Sequence, residues 1–570
     1  MIIDIELIIQ FTKEAETMAK KVAVGGEDFV ALRKSDSYYV DKTEFLYELI
    51  EKNNNAVTLL TRPRRFGKTL LMSMIDSFLS IFKKDSADVF EGLNIMQHTE
   101  FVSKHMNQYP VLFISLKDIE GLNFESAFER MKIKVFELCN KHGKLIYEPN
   151  ARSSDVERMK RLISESSTDS DITMSLKTIM RMIYDVYGQK TVLLIDEYDV
   201  PLAKANKFGY YREMLDLIRG FMSSSLKTNE YLEFAVVTGC LRIPKESIFT
   251  GVNNFTSYSV MNGKFAEYPG FTQSEVEMML DSFGLSDKAD VVKKWYDGYR
   301  FGNTEVYCPW DVVSYVSDLL YDREAKPRNY WENTSSNDAI KAFFDMPEID
   351  CSEDFETLLN GNAITKPVTD SLTYDVAYGS ENNLWSLLLM TGYITADRGA
   401  DYNSDYVDLR IPNREITNIF KTAVVDHFNQ TVDQTELQSL MNALWNGDST
   451  LASEVLSELL WNTISYMDYH EDYYHAFLSG IFVGRGGYIV NSNKERGLGR
   501  PDIDLRDKRN RRAIIIEAKK SDRASEMERD CDNALKQIVE NRYVDKLEGY
   551  RNITCYGVAF YKKTALVKKL

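Results

Sequence analysis

Four runs with apolar centres of strand length punctuate the first half of the chain: NAVTLL at 55–60, YPVLFISL at 109–116, KTVLLIDEYD at 190–199 and YLEFAVVTG at 231–239. Consecutive rather than alternating apolar positions are the pattern of a strand covered on both faces. Apolar residues at helical spacing fill 123–144, 171–188 and 208–226, and GKTLLMSMIDSFLSIF, which begins at Gly67, predicts another helix with an apolar face. Strands alternating with helices predict a parallel sheet clothed by helices. Upstream, YYVDKTEFLYELIEKN (38–53) reads as a short strand turning into a helix, with Asp41 or Thr43 as its cap. Residues 1–22 read as a helical extension.

The pattern changes over 263–465, which is mostly helical and rich in aromatics, as in WYDGYRFG (295–302), PWDVVSYV (309–316) and LWSLLLMTGYI (384–394). This stretch is expected to form a helical lid and connector with a small winged element, LRIPN (409–413) being a strand end. The aromatic clusters at 295–301 and 330–331 are expected to be its core rather than a base-stacking platform. Over 466–570 the alternation returns in compact form. A helix (472–483) precedes strands at 487–492 and 500–507, a buried strand RAIIIEAKK (512–520), a helix (524–543) and a last strand (553–561). The expected organisation is therefore 1–22, 23–262, 263–465 and 466–570, in an α/β architecture.

Length supports this division, since 570 residues exceed what one hydrophobic core organises. No apolar run of about 18 residues occurs, so neither a membrane span nor a membrane partner is expected. The start MIIDIELIIQ carries Asp4 and Glu6 and has no basic flank, so a secretory signal is not expected. Six scattered cysteines, with no C-x-x-C pair, suggest neither a disulfide framework nor a zinc site and fit a cytoplasmic protein. The net charge of −17 argues against nucleic-acid binding by the whole surface. Residues 494–520, however, hold ten Lys/Arg against five Asp/Glu, and a local basic face can bind phosphates.

RPRRFGKT (62–69) lies between the first apolar strand and its helix. Gly67, Lys68 and Thr69 match the end of the phosphate-loop pattern G-x-x-x-x-G-K-[ST], but Arg62 stands where the first glycine belongs. Such a loop works through backbone N–H groups and the positive end of the next helix, with lysine on the phosphates and the hydroxyl on magnesium. Arg64, Arg65, Phe66, Gly67, Lys68 and Thr69 are the expected nucleotide-binding set, the alternative being a basic strand–helix turn. TVLLIDEYD ends in Asp196, expected with Thr69 on Mg²⁺, and Glu197, expected to orient or deprotonate the attacking water. Acids at the carboxyl end of a buried strand lie where open parallel sheets bind ligands. Asp199 is read as a helix cap. In VVTGCLRIP, Thr238 is a candidate contact to the γ-phosphate or water. Arg242 either supplies charge to a phosphate, in its own subunit or a neighbour's, or pairs a surface acid. A homo-oligomer is thus an open expectation.

In the C-terminal segment, RPDIDLRDKRNRRAIIIEAKK places Asp502 on one strand of a hairpin-like pair and Glu517 and Lys519 on the other. Glu517 and Lys519 are two apart and project from the same strand face. Two carboxylates suit Mg²⁺ or Mn²⁺, and a lysine beside them can position water or stabilise charge, a constellation for phosphodiester hydrolysis. Asp504 is the alternative ligand. Glu495 and Gln537 are candidate supports, and Arg496, Arg500 and Arg506 candidate phosphate contacts. His475 reads as a packing or surface histidine.

The chain resembles the bacterial AAA-ATPase-like proteins that carry a C-terminal PD-(D/E)XK nuclease domain. The stretches that carry the resemblance are YYVDKTEFL, RPRRFGKTLLMSM, LLIDEYDVPL, TGCLRIPKESIFTGVNNF, WYDGYRFG, YWENTSSND, LLLMTGYIT, YYHAFLSGIF, GRPDIDL and IIIEAKK, spread over roughly 22–565. That family is similar in having Arg at the position of Arg62. The resemblance implies an N-terminal P-loop NTPase parallel sheet, a helical lid and connector, and a C-terminal restriction-endonuclease-like α/β domain. It implies ATP as the nucleotide at Lys68 and Thr69, with Asp196 and Glu197 as the acidic pair, and Asp502, Glu517 and Lys519 as the nuclease set. The expected function is an ATPase coupled to a metal-dependent nuclease acting on nucleic acid, with DNA the expected substrate. The alternatives are a nucleotide-switched DNA-binding or signalling protein whose nuclease fold does not cut, and a multimeric scaffold with a vestigial nucleotide site.

Overall fold

The computed structural model describes residues 21–570 except 54, 165, 245–247, 250–254, 332–338, 341–351, 402–403, 432–433, 464–473, 475–476, 479–480, 483–488, 493–500 and 548. The expectations for residues 1–20, His475, Glu495, Arg496 and Arg500 lie outside the described residues. The chain divides into two compact units, Met1–Ser336 with Thr365–Ile416, and Asn337–Ile364 with Thr417–Leu570.

The first unit is built on a five-stranded sheet in the order β2-β3-β4-β1-β5, all neighbours parallel. Its strands are β1 Val57–Thr61, β2 Val111–Ser115, β3 Thr191–Asp196, β4 Leu232–Gly239 and β5 Phe255–Tyr258. The first four are the apolar runs read from the sequence. Helices Lys68–Leu79, Phe124–Lys141, Asp169–Tyr187 and Tyr211–Leu226 lie between them. β1 and β3 are buried at every position, as consecutive apolar residues require. Leu60, Val192, Leu194 and Val236 pack in one core with Met72, Ile75 and Phe78 of the Lys68–Leu79 helix. β5 has only four residues, all half-buried, and no periodic signal; pairing with β1 holds it in place.

Near the start of this unit, 38–53 forms the helix Glu44–Ile50 without a full strand before it; a single bridge joins Lys21 to Ser37. Thr43 occupies the cap position but makes no side-chain cap bond. Asp41 instead accepts hydrogen bonds from Thr43 N at 2.9 Å and Thr43 Oγ1 at 2.6 Å, closing an Asx-type turn ahead of the helix. Further along, β6 Tyr299–Phe301 and β7 Thr304–Val306 form a hairpin. β8 Ile364–Pro367, β9 Thr395–Ala396 and β10 Tyr406–Arg410 form a small sheet in the order β8-β10-β9, with the helix Glu381–Thr391 preceding β9.

The second unit holds a mixed sheet in the order β11-β12-β13-β14-β15. β11 Ile489–Ser492, β12 Ile503–Asp507 and β13 Arg512–Lys520 run antiparallel in turn. The helix Met527–Glu540 then crosses to β14 Asn552–Tyr561, parallel to β13, and β15 Thr564–Lys569 returns antiparallel. β15 was not legible as a strand: it is short, lysine-ended and only alternately buried, as edge strands often are. One sheet face, with Ile503, Leu505, Ile514 and Ile516, packs in a core with Leu456, Leu459 and Leu460. The other, with Ala513 and Ile515, packs with Leu535 and Ile538 of the crossover helix.

That helix lies so close to β14 that a Cβ at Gly557 would overlap Cys531 O and come within 2.9 Å of Leu535 Cγ. Gly557→Ala is accordingly expected to destabilise this unit by about 2 kcal/mol, since backbone cannot yield as a flexible side chain can. Denaturant unfolding with a local probe checks it.

Candidate functional site

The ends of β1, β3 and β4 meet because β4 pairs with both of the others. The loop after β1 enters the Lys68–Leu79 helix through Gly67 at φ +81°, a left-handed backbone that glycine adopts without steric cost. Lys68 is buried; its Nζ donates to Arg62 O at 3.1 Å and Pro63 O at 3.0 Å, and lies 3.4 Å from Glu197 Oε1. Thr69 Oγ1 donates to Asp196 Oδ2 at 2.8 Å, and Thr238 Oγ1 to Asp196 Oδ1 at 2.5 Å. Glu197 N donates in turn to Thr238 Oγ1 at 3.4 Å. Burial pushes the Asp196 carboxyl above the usual range, neighbouring Glu197 adds to this, and hydrogen bonds from Thr238 and Thr69 offset part of it. Lys68, Thr69, Asp196, Glu197 and Thr238, spread over 171 positions of the sequence, are thus brought together.

Sequence reasoning missed Ser115, whose Oγ donates to Asp196 Oδ2 at 3.3 Å from the end of β2. A hydroxyl ending an apolar strand was the available signal. Asp199 is a correction: it stands at the start of the helix Val200–Phe208 but makes no side-chain cap bond there. Its buried carboxylate accepts from Leu241 N at 2.9 Å, Cys240 N at 3.1 Å and Tyr374 OH at 2.8 Å, and so holds the turn after β4. Arg242 takes the acid-pairing alternative, with Nη1 2.8 Å from both carboxylate oxygens of Asp370.

The arginines of the loop part company. Arg62 is fully buried and donates to Thr61 O and Tyr258 O at 2.8 Å, with its guanidinium over the Phe301 ring at 5.0 Å. Burial lowers its guanidinium to about 9. It therefore ties β1 to β5 instead of facing a ligand. Arg62→Ala is expected to cost about 3 kcal/mol, because the buried carbonyls lose charged donors; chemical denaturation measures this. Arg65, at φ +72°, stacks on Trp310 at 3.9 Å. Phe66 is buried edge-on against Tyr299 at 5.0 Å.

Arg64 and Arg65, with Gly67, Lys68 and Thr69, line a cavity of about 530 Å³. Glu197 and Lys117 also line it, and Phe271, Met279 and Val313 contribute apolar surface.

In the second unit, Asp502 Oδ2 accepts from Ala518 N at 2.8 Å, which seats it beside Glu517 and Lys519 on β13. Glu517 is buried; its Oε1 accepts from Gln537 Nε2 of the crossover helix, and Lys519 Nζ lies 3.6 Å from the same oxygen. Asp504, the alternative ligand, is held in an ion pair by Arg506, whose Nε donates to it at 2.9 and 3.0 Å. Among the described residues no group of three or more His, Cys, Asp or Glu side chains is arranged to hold a metal.

Residues 23–249 match the family model described as Predicted AAA-ATPase, and residues 469–570 match the PD-(D/E)XK nuclease superfamily. The chain joins an AAA-ATPase-like domain to a PD-(D/E)XK nuclease-superfamily domain. The AAA-ATPase-like match takes in the 62–69 loop, Asp196, Glu197 and Thr238; the nuclease-superfamily match takes in Asp502, Glu517, Lys519 and Gln537. The chain is also 27% identical over 327 residues to an "Uncharacterized protein in vnfD 5'region" of Azotobacter chroococcum mcd 1, over 56% of this chain and 54% of that protein. It thus spans about half the length of that curated relative. Among the described residues, no helix is long and apolar enough to cross a membrane.

Proposed function

We propose that the chain binds and hydrolyses ATP in the cavity beside the 62–69 loop, and that its nuclease-superfamily domain cleaves DNA at Asp502, Glu517 and Lys519. The observation that carries the reading is the meeting of Lys68, Thr69, Asp196, Glu197 and Thr238 at the ends of three adjacent parallel strands. The oxygen donors at both places fit a divalent cation: Thr69 and Asp196 for Mg²⁺ beside the loop, Asp502 and Glu517 for Mg²⁺ or Mn²⁺ in the nuclease-type domain. Such an ion, when bound, neutralises phosphate charge and makes a coordinated water more acidic.

The chain's own groups do the rest. A phosphate oxygen competing for the Lys68 ammonium would loosen its pairing with Glu197, leaving that carboxylate to orient the attacking water and accept its proton. Thr238, already hydrogen-bonded to both acids' positions, holds Asp196 and Glu197 in register. Arg64 and Lys117 add positive charge to the cavity wall. In the nuclease-type domain, Gln537 orients Glu517, and the Lys519 ammonium is placed to stabilise charge on a phosphate or to position water.

The test is to incubate the purified chain with ATP and Mg²⁺ and, separately, with linear and circular DNA in Mg²⁺ or Mn²⁺. Turnover of both substrates is expected. DNA binding with no cutting across metals and substrates would replace the nuclease half of the proposal with a nucleotide-switched DNA binder.

A further inference from the structure

We infer that the tip of the β12–β13 hairpin is a second phosphate-binding surface for duplex DNA, set at the far end of the strands from Asp502, Glu517 and Lys519. β12 and β13 pair from Ile503 opposite Ile516 to Asp507 opposite Arg512. The candidate cleavage set lies beyond the first of these pairs. Lys508, Arg509 and Arg511 occupy the turn beyond the last, and all three are exposed. Exposed Arg551 joins them, because its N–H donates to Arg511 O at 2.8 Å.

The charges at this end are sorted. Asp507 is buried and accepts from Asn510 N at 3.0 Å, Asn510 Nδ2 at 2.7 Å and Arg512 Nε at 2.9 Å. Arg512 is further packed over the Trp445 ring at 4.3 Å. Asp504 is taken by Arg506. The acids of the hairpin are thus used inside it, while Lys508, Arg509, Arg511 and Arg551 make no ion pair among the described residues. The turn is also firmly built: Arg511 is held at φ +49°, and the three bonds to Asp507 brace it from within.

Four neighbouring cations with no acid partner repel one another, on a chain whose net charge is −17. A polyanion relieves that repulsion and releases its own counterions in doing so. The spacing suits a duplex. Asp507 lies five residue steps beyond Asp502, about 17 Å at roughly 3.4 Å per residue, the rise of about five base pairs. DNA whose scissile phosphate lay at the cleavage set could therefore present backbone to the tip about five base pairs away.

This inference rests on the nuclease-type reading of the domain, but its test does not require cutting. The full chain and its triple variant Lys508→Gln, Arg509→Gln and Arg511→Asn are compared for binding to a 30-base-pair duplex, without divalent metal, over a range of salt. Asparagine tolerates the left-handed backbone at 511. The variant is expected to bind at least tenfold more weakly at low salt, and its log–log salt slope to shrink by roughly 3. A duplex too short to reach the tip is expected to bind both proteins within about twofold. An unchanged slope in a variant that melts like the wild type overturns the tip assignment, whatever cleavage assays show. Loss of binding to phosphatidylserine vesicles with DNA binding intact would overturn it in favour of a membrane surface. Loss of cutting in Asp502→Asn with an unchanged salt slope would separate cleavage set from tip. A wild-type chain that binds no duplex in any salt refutes the tip and the DNA reading together.

Discussion

Lys68→Ala is expected to lower ATP turnover by about a hundredfold or more, the usual consequence of removing one preorganised positive group from a developing negative charge. The ammonium is buried, bridges two loop carbonyls and pairs with Glu197, so it organises the loop in addition to the phosphate contact proposed for it. Its removal also leaves the Glu197 carboxylate without that partner, and partial loss of stability is part of the expected result. Two readouts separate these effects. Wild-type protein is expected to melt at higher temperature with ATP and Mg²⁺ than without, as any ligand that binds only the folded state requires. Lys68→Ala is expected to show no such rise even where it remains folded. ATP turnover unaffected by the substitution would refute the nucleotide site.

Asp502→Asn and Lys519→Ala are each expected to reduce DNA cleavage by about a thousandfold. Asparagine is the informative replacement at 502. It keeps an oxygen to accept the Ala518 N–H, so the link from Asp502 to β13 is preserved. What it loses is the negative charge that would hold a cation. At 519, alanine removes the ammonium lying 3.6 Å from Glu517 and leaves the strand, whose backbone pairs on both sides, in place. Cutting that persists in both variants would sink the assignment of these residues, and supercoiled plasmid with Mg²⁺ or Mn²⁺ is a sufficient substrate for the comparison. DNA affinity measured in the same variants without metal distinguishes lost chemistry from lost binding.

The residue pattern was enough for four of the five strands of the first sheet. Consecutive apolar residues report a buried strand locally, whatever it pairs with. The pairing of Glu517 with Lys519 on one face follows likewise from a period of two. Adjacent acids at the end of an apolar run located Asp196 and Glu197, and the GKT tripeptide located the loop. Arg62 shows where this stops. Local pattern marks it only as an arginine where a phosphate loop has its first glycine, yet it is buried and donates to Tyr258 O, 196 positions away. Asp199 binds Tyr374 and Arg242 binds Asp370 across 175 and 128 positions. β5 is a strand only because β1 offers it an edge. Local pattern reports whether a residue prefers burial and with what period. Which donor meets which acceptor depends on chain segments brought together by the sheet order, and that choice is made by long-range packing and hydrogen-bond satisfaction.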